Sequence, residues 1–144
     1  MVKNKALFTG AIINFIIGIG HLACLACLNR VFEIYDITDI MNRFAETYGG
    51  DFPYILTVII ALCFFSCGIY GLSACGIIRR LPLLKLGILA ISSVFLIRAL
   101  WGISIMINGF TCLELSSTLV AALVGLLYLL GGIKTFSKSN NNRK

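Results

Sequence analysis

The chain has 144 residues, of which 59% are hydrophobic and only 12% charged, and its mean hydropathy is +0.98. That charged share is about half the usual one, and a body this small cannot hide so much apolar surface from water, so a soluble domain is excluded, as is a disordered chain. The net charge of +6 comes from 12 basic and 6 acidic residues. It does not point to nucleic acid, because the basic residues sit at the ends of apolar runs, where they act as topogenic charge. These facts leave a small all-α integral membrane protein.

The first apolar run covers residues 6–28, with Lys3 and Lys5 ahead of it. Cys24-Leu25-Ala26 looks like a cleavage site, but the run exceeds the 7–15 apolar residues of a secretion signal and is expected to stay as a membrane crossing. Along it, Gly10, Asn14, Gly18 and His21 fall on one helical face. In the loop that follows, Ile34, Ile37, Met41, Phe44 and Tyr48 recur at spacings of three and four, with Asp36, Asp39, Arg43 and Glu46 opposite. This predicts a short amphipathic helix, capped by Asp36 or Thr38 and stopped by Gly49-Gly50. It is expected to lie on the membrane as an anchor rather than act as a lid.

The second run, about 53–78, opens at Pro53 and carries Cys63, Cys67, Gly71 and Cys75 at intervals of four. The third, about 83–107, follows Pro82 and is interrupted by Arg98. The fourth, about 115–133, carries Ser117, Ala121 and Gly125 at the same interval. Each run is near the 20 or so residues that a helix needs to cross a bilayer. Continuous apolarity excludes the alternation of barrel strands, and small residues in rows predict close helix contacts. The expected architecture is a four-helix bundle over residues 1–136, with a disordered tail over 137–144.

Charge sets the expected orientation. Lys3, Lys5, Arg79, Arg80, Lys85, Lys134, Lys138, Arg143 and Lys144 all fall on one side of the four runs, and the other side holds the six acidic residues against Arg30 and Arg43. The positive-inside rule then places both termini in the cytoplasm, in a plasma (inner) membrane protein.

Four residues are candidates for a ligand site. Arg98 lies about 14 Å inside the third run at 1.5 Å per residue, where an arginine costs at least about 2.5–3.5 kcal/mol. The four apolar runs contain no carboxylate to pair with it. His21, the sole histidine, is expected at a similar depth on the face that carries Asn14. With Trp101 one turn from Arg98, these residues predict a polar pocket open to the outside, suited to an anionic or amphipathic ligand.

Cys24-x-x-Cys27 stands at the outer end of the first run, and Cys112 lies in the other outer loop. A C-x-x-C pair can cycle between dithiol and disulfide. The arrangement resembles the bacterial membrane proteins that pass electrons from periplasmic dithiols to quinone, which also have four crossings, both termini inside and a C-x-x-C after the first crossing. Vitamin K epoxide reductase-like proteins share the chemistry but place the motif in the last crossing. The first resemblance implies catalysis by Cys24 and Cys27, with Cys112 as a third participant and quinone as cofactor. That family has a cysteine pair in the second outer loop, where this chain has Cys112 alone. His21, Cys24 and Cys27 spread over about 120° of a helix, so that one tetrahedral metal would need a fourth ligand from elsewhere and an unwound helix end. No P-loop, H-E-x-x-H or G-x-S-x-G motif occurs.

The expected function is therefore non-catalytic: a bilayer protein without cofactor that binds a partner protein, a second copy of itself, or a small amphipathic or anionic ligand. The alternatives are a membrane thiol–quinone oxidoreductase and an oligomeric transporter or pore.

Overall fold

The computed structural model describes residues 4–141. Helix α1 (Lys5–Cys24) passes through a 3-10 turn (Leu25–Cys27) into α2 (Leu28–Ile34), followed by α3 (Thr38–Tyr48), α4 (Phe52–Ala74), α5 (Leu84–Asn108) and α6 (Cys112–Asn141). Four spans, Lys5–Ile34, Phe52–Ala74, Leu84–Ile107 and Cys112–Ser137, are long and apolar enough to cross a membrane. The fold is all-helical across the described residues, and the four spans answer to the four runs.

The helix ends have local causes. The second apolar run continues to Ile78, but α4 stops at Ala74. Gly76 takes a left-handed φ of 81°, so Ile77 N–H donates to the Leu72 carbonyl and Gly76 N–H to that of Ser73. That is the Schellman ending, which a glycine adopts without a Cβ penalty. Asp36 does the same for α2. Its φ is 53°, its N–H donates to the Glu33 carbonyl, and Ile37 N–H donates to that of Phe32. Asp36 therefore closes α2 and does not cap α3, which starts after Ile37 with no side-chain cap. The expected glycine stop holds: Gly49 follows α3 with φ 105°. Helix α6 runs to Asn141, beyond the boundary expected at 136. The last part of the expected tail, 142–144, lies outside the described residues.

The chain divides into two compact units, 1–14 with 67–144, and 15–66. In the first unit, stretches of all four long helices pack around Tyr128, as a four-helix bundle requires. Tyr128 is fully buried, with Leu7, Cys75, Ile88 and Val124 in the same core. Its hydroxyl donates to the Cys67 carbonyl at 2.7 Å and accepts from Asn14 Nδ2 at 3.3 Å. Gly71 makes room for it, since a Cβ there would stand 2.6 Å from the hydroxyl and 2.9 Å from Ala11 Cβ. The row of small residues on α4 thus splits. Gly71 and Cys75 are buried contacts, whereas Cys63 is exposed. Asn4 fastens the start of α1 to α6, donating to the Gly131 carbonyl at 2.7 Å and to Thr135 at 2.8 Å. Ser92 of α5 donates to the Gly125 carbonyl of α6 at 3.0 Å.

In the second unit, a Cβ on Gly18 of α1 would lie 3.0 Å from the Phe65 ring and 3.2 Å from the Ala61 carbonyl of α4, so these helices also meet at a glycine. Phe15 and Phe65 rings add a contact at 6.0 Å. Phe44, Tyr48 and Phe52 form an aromatic cluster where α3 turns into α4, with Tyr48 stacked on Phe52 at 4.9 Å.

Two substitutions test the Tyr128 centre. Tyr128→Phe keeps the ring and removes the hydroxyl, leaving Asn14 and the Cys67 carbonyl without it, at a cost of about 1–2 kcal/mol. Gly71→Leu forces bulk into a closed contact and is expected to cost about 1–3 kcal/mol or more. Thermal unfolding in mild detergent should rank wild type above Tyr128→Phe and Gly71→Leu; an unchanged Tm for Gly71→Leu would place this row in lipid.

Candidate functional site

The sequence leaves Arg98 without a carboxylate in any apolar run, and the structure corrects this. Helix α6 begins at Cys112, ahead of the expected 115, so Glu114 lies in its first turn. Glu114 N–H donates to Thr111 Oγ1 at 3.2 Å, the capping half of a Thr-x-x-Glu box. Arg98 Nη1 stands 2.9 Å from Glu114 Oε1, and Nη2 donates to Ser117 Oγ at 3.1 Å. Thr118 Oγ1 donates to Glu114 Oε1 at 3.4 Å, and Ser117 Oγ donates to the Glu114 carbonyl at 3.1 Å.

Gly102, one turn beyond Arg98, is what admits this cluster. A Cβ there would collide with Thr118 Oγ1 and lie 2.8 Å from both Arg98 Nη1 and Glu114 Oε1. The guanidinium therefore lies along α5 toward its C-terminal end, over the glycine. This is the course of a snorkelling arginine, and here it ends on a carboxylate. The Arg98 side chain remains 40% exposed and that of Glu114 19%. A guanidinium has five N–H donors, of which one makes a directed hydrogen bond to Ser117, and buried Nη1 makes none despite its short ion-pair distance.

The other expected site residues stand as follows. Asn14 is fully buried and belongs to the Tyr128 network. Its Nδ2 also donates to the Gly10 carbonyl at 2.9 Å, and its Oδ1 is buried without a hydrogen-bond partner. His21 lies in the 15–66 unit, with Nδ1 2.9 Å from the Ile17 carbonyl. A carbonyl only accepts, so Nδ1 is the donor in this contact. The ring packs on Phe64 with centroids 5.0 Å apart. Trp101 is 67% exposed. The structure thus joins Arg98 to Glu114, Ser117 and Thr118, and Asn14 to Tyr128.

Cys24 ends α1 half-buried, while Cys27 is exposed at the end of the 3-10 turn. Cys112 is an exposed free thiol that opens α6. Among the described residues no three His, Cys, Asp or Glu side chains gather as a metal ion would need. The sequence signal for Glu114 was Thr111-x-x-Glu114, which starts a helix at residue 112 and puts Glu114, Ser117 and Thr118 on one face. No protein-family model, curated protein or solved structure matches the chain.

The ion pair can be tested by removing one partner, then both. Arg98→Met leaves Glu114 without its cation; breaking a buried pair costs about 3–5 kcal/mol, and partial exposure reduces this to about 1–3 kcal/mol. The double variant Arg98→Met/Glu114→Gln should recover at least half of that loss. A thermal-shift double-mutant cycle with no coupling would show that the pair contributes nothing.

Proposed function

We propose that this is a non-catalytic protein of the plasma (inner) membrane, with both termini cytoplasmic, that binds a small amphipathic or anionic ligand or a partner protein on its outer polar side. The observation that carries the reading is Arg98. It pairs with Glu114, and of its five N–H donors the two on Nη1 are buried against that carboxylate and one on Nη2 meets Ser117, which leaves two for an acceptor from outside the chain on a side chain that keeps 40% exposure. Trp101, one turn away and exposed, offers a flat apolar face to the body of such a ligand. Placement of Glu114 at the outer end agrees with the clustering of basic residues at the opposite ends of the helices. Helix α3 fits an amphipathic interfacial anchor, because Phe44, Tyr48 and Phe52 form the kind of aromatic group that sits at headgroup level.

Arg98→Lys separates recognition from folding. It retains a cation for Glu114 but loses the planar fork. The expected result is a folded protein that no longer copurifies with the small molecule or partner held by wild type in native mass spectrometry. Identical copurification would overturn a role for Arg98. For orientation, a cysteine introduced at Asn42 should be alkylated in intact cells and one at Asn140 only after permeabilisation, read by mass spectrometry of the labelled peptides.

A thiol–quinone oxidoreductase is the second reading. One observation favours it: the C-x-x-C falls where α1 gives way to a 3-10 turn, with the Cys27 thiol exposed. In that chemistry the dithiol would close to a disulfide while quinone takes up two electrons and two protons. The expected outcome is that Cys24→Ser and Cys27→Ser are both tolerated, since Cys112 has no second cysteine in its loop for a relay. Loss of function in both, together with copurified quinone, would replace the non-catalytic reading.

A further inference from the structure

Far from Arg98, between the first half of α5 and the last turns of α6, lies an open cleft of about 280 Å³. Ile88, Leu89, Leu129, Ile133 and Phe136 form its apolar walls, and Lys85 stands at one end. Of the three hydroxyls that line it, the two buried ones are already engaged, Ser92 with the Gly125 carbonyl and Tyr128 with the Cys67 carbonyl, and the third, on Ser137, is exposed toward the end of α6. The buried part of the cleft thus has no hydroxyl to spare for a polar ligand. Its volume is at the small end for ligand sites, which suits a slender chain better than a ring system.

The entrance is different in kind. Lys85 is the second residue of α5, and no side chain caps that helix start, where the first N–H groups have no intrahelical partner and the dipole is positive. Arg79 and Arg80 lie in the loop just before, which Ser73 holds in place by donating to the Arg79 carbonyl at 2.9 Å and accepting from Leu81 N–H at 3.0 Å. The only acidic residue in 67–144 is Glu114, which is committed to Arg98. Lys85 lies 13 positions before Arg98, about 20 Å away along the helix. The mouth is therefore basic, with no carboxylate of its own unit to neutralise it.

We propose that this cleft binds an anionic phospholipid, with one acyl chain between α5 and α6 and the phosphate held by Lys85 and the first amides of α5. Charge complementarity selects this occupant: a zwitterionic lipid brings its own cation to a basic mouth. The site is separate from the Arg98 cluster and does not depend on the function proposed there.

The test uses the full-length protein in mild detergent, titrated in native mass spectrometry with equal amounts of phosphatidylglycerol and phosphatidylcholine of matched chains, and separately with a free fatty acid. Wild type is expected to retain phosphatidylglycerol about fivefold or more over phosphatidylcholine, the contribution of one basic residue near a charged headgroup. Lys85→Gln should bring that ratio close to one. Lys134→Gln removes an exposed charge that does not line the cleft and should leave the ratio unchanged. Ile133→Trp and Leu89→Trp place bulk in the cleft from positions 59% and 54% exposed, so folding tolerates them, and both should lower retention of either phospholipid. The proposal is overturned by equal retention of the two phospholipids in wild type, by an equal effect of Lys134→Gln, by wild-type retention in both tryptophan variants, or by preference for the fatty acid.

Discussion

The hydroxyl of Tyr128 is the point on which the larger unit depends. Lipid offers no hydrogen bonds, so a polar group inside a spanning helix must find its partner in protein. Tyr128 satisfies this with a bond to the Cys67 carbonyl at 2.7 Å and one from Asn14, tying α6 to α4 and α1. These bonds exist only because Gly71 and Gly10 bring backbones to within a ring's reach. The rest of the unit follows the same inversion. Asn4, Asn14, Ser73, Ser92 and Thr118 are buried, while Val94, Ile97, Leu100 and Ile107 are exposed. In water that distribution would be unstable. In a bilayer the exposed side chains meet acyl chains, and helices associate through packing and polar contacts rather than through apolar burial.

The Arg98–Glu114 pair obeys the same constraint with full charges. An unpaired arginine at that position costs several kcal/mol. Its length lets the guanidinium lie a full turn along the helix toward Glu114, and Gly102 removes the side chain that would obstruct it. The first-turn position of Glu114 also places its charge where the α6 dipole favours an anion. One carboxylate thus meets the dipole of its own helix and neutralises the cation of the neighbouring helix. A buried pair is weak evidence of net stability, but it fixes register between α5 and α6, because a shift of one turn on either helix would separate the charges by about 5 Å.

Much of the fold was legible in the sequence because the signals are long: four apolar runs, a helical period between residues 34 and 48, and a glycine pair at 49–50. The errors come from single residues that act through the backbone. Gly76 ends α4 four residues before apolarity does, since hydropathy does not register a left-handed φ. Asp36 reads as an N-cap by composition, yet aspartate is also tolerated in the left-handed region, and it closes the preceding helix instead. At the candidate site, Arg98 stood out as an interrupted apolar run. Its partner did not, because Glu114 sits outside the fourth run by hydropathy and inside the fourth helix by capping chemistry.

The two ends of the α5–α6 pair then pose different electrostatic problems. At one end a charge that belongs in water is brought into apolar surroundings and neutralised within the chain. At the other, Arg79, Arg80 and Lys85 are left exposed, and the one acid of their unit, Glu114, is committed to Arg98. Such charge does not stabilise the helices; it costs self-repulsion unless counterions or headgroups supply the opposite sign. The charge asymmetry behind the proposed orientation is also an asymmetry in what each end requires of its surroundings. The Glu114 end supplies its own anion, and the Lys85 end must take one from its surroundings.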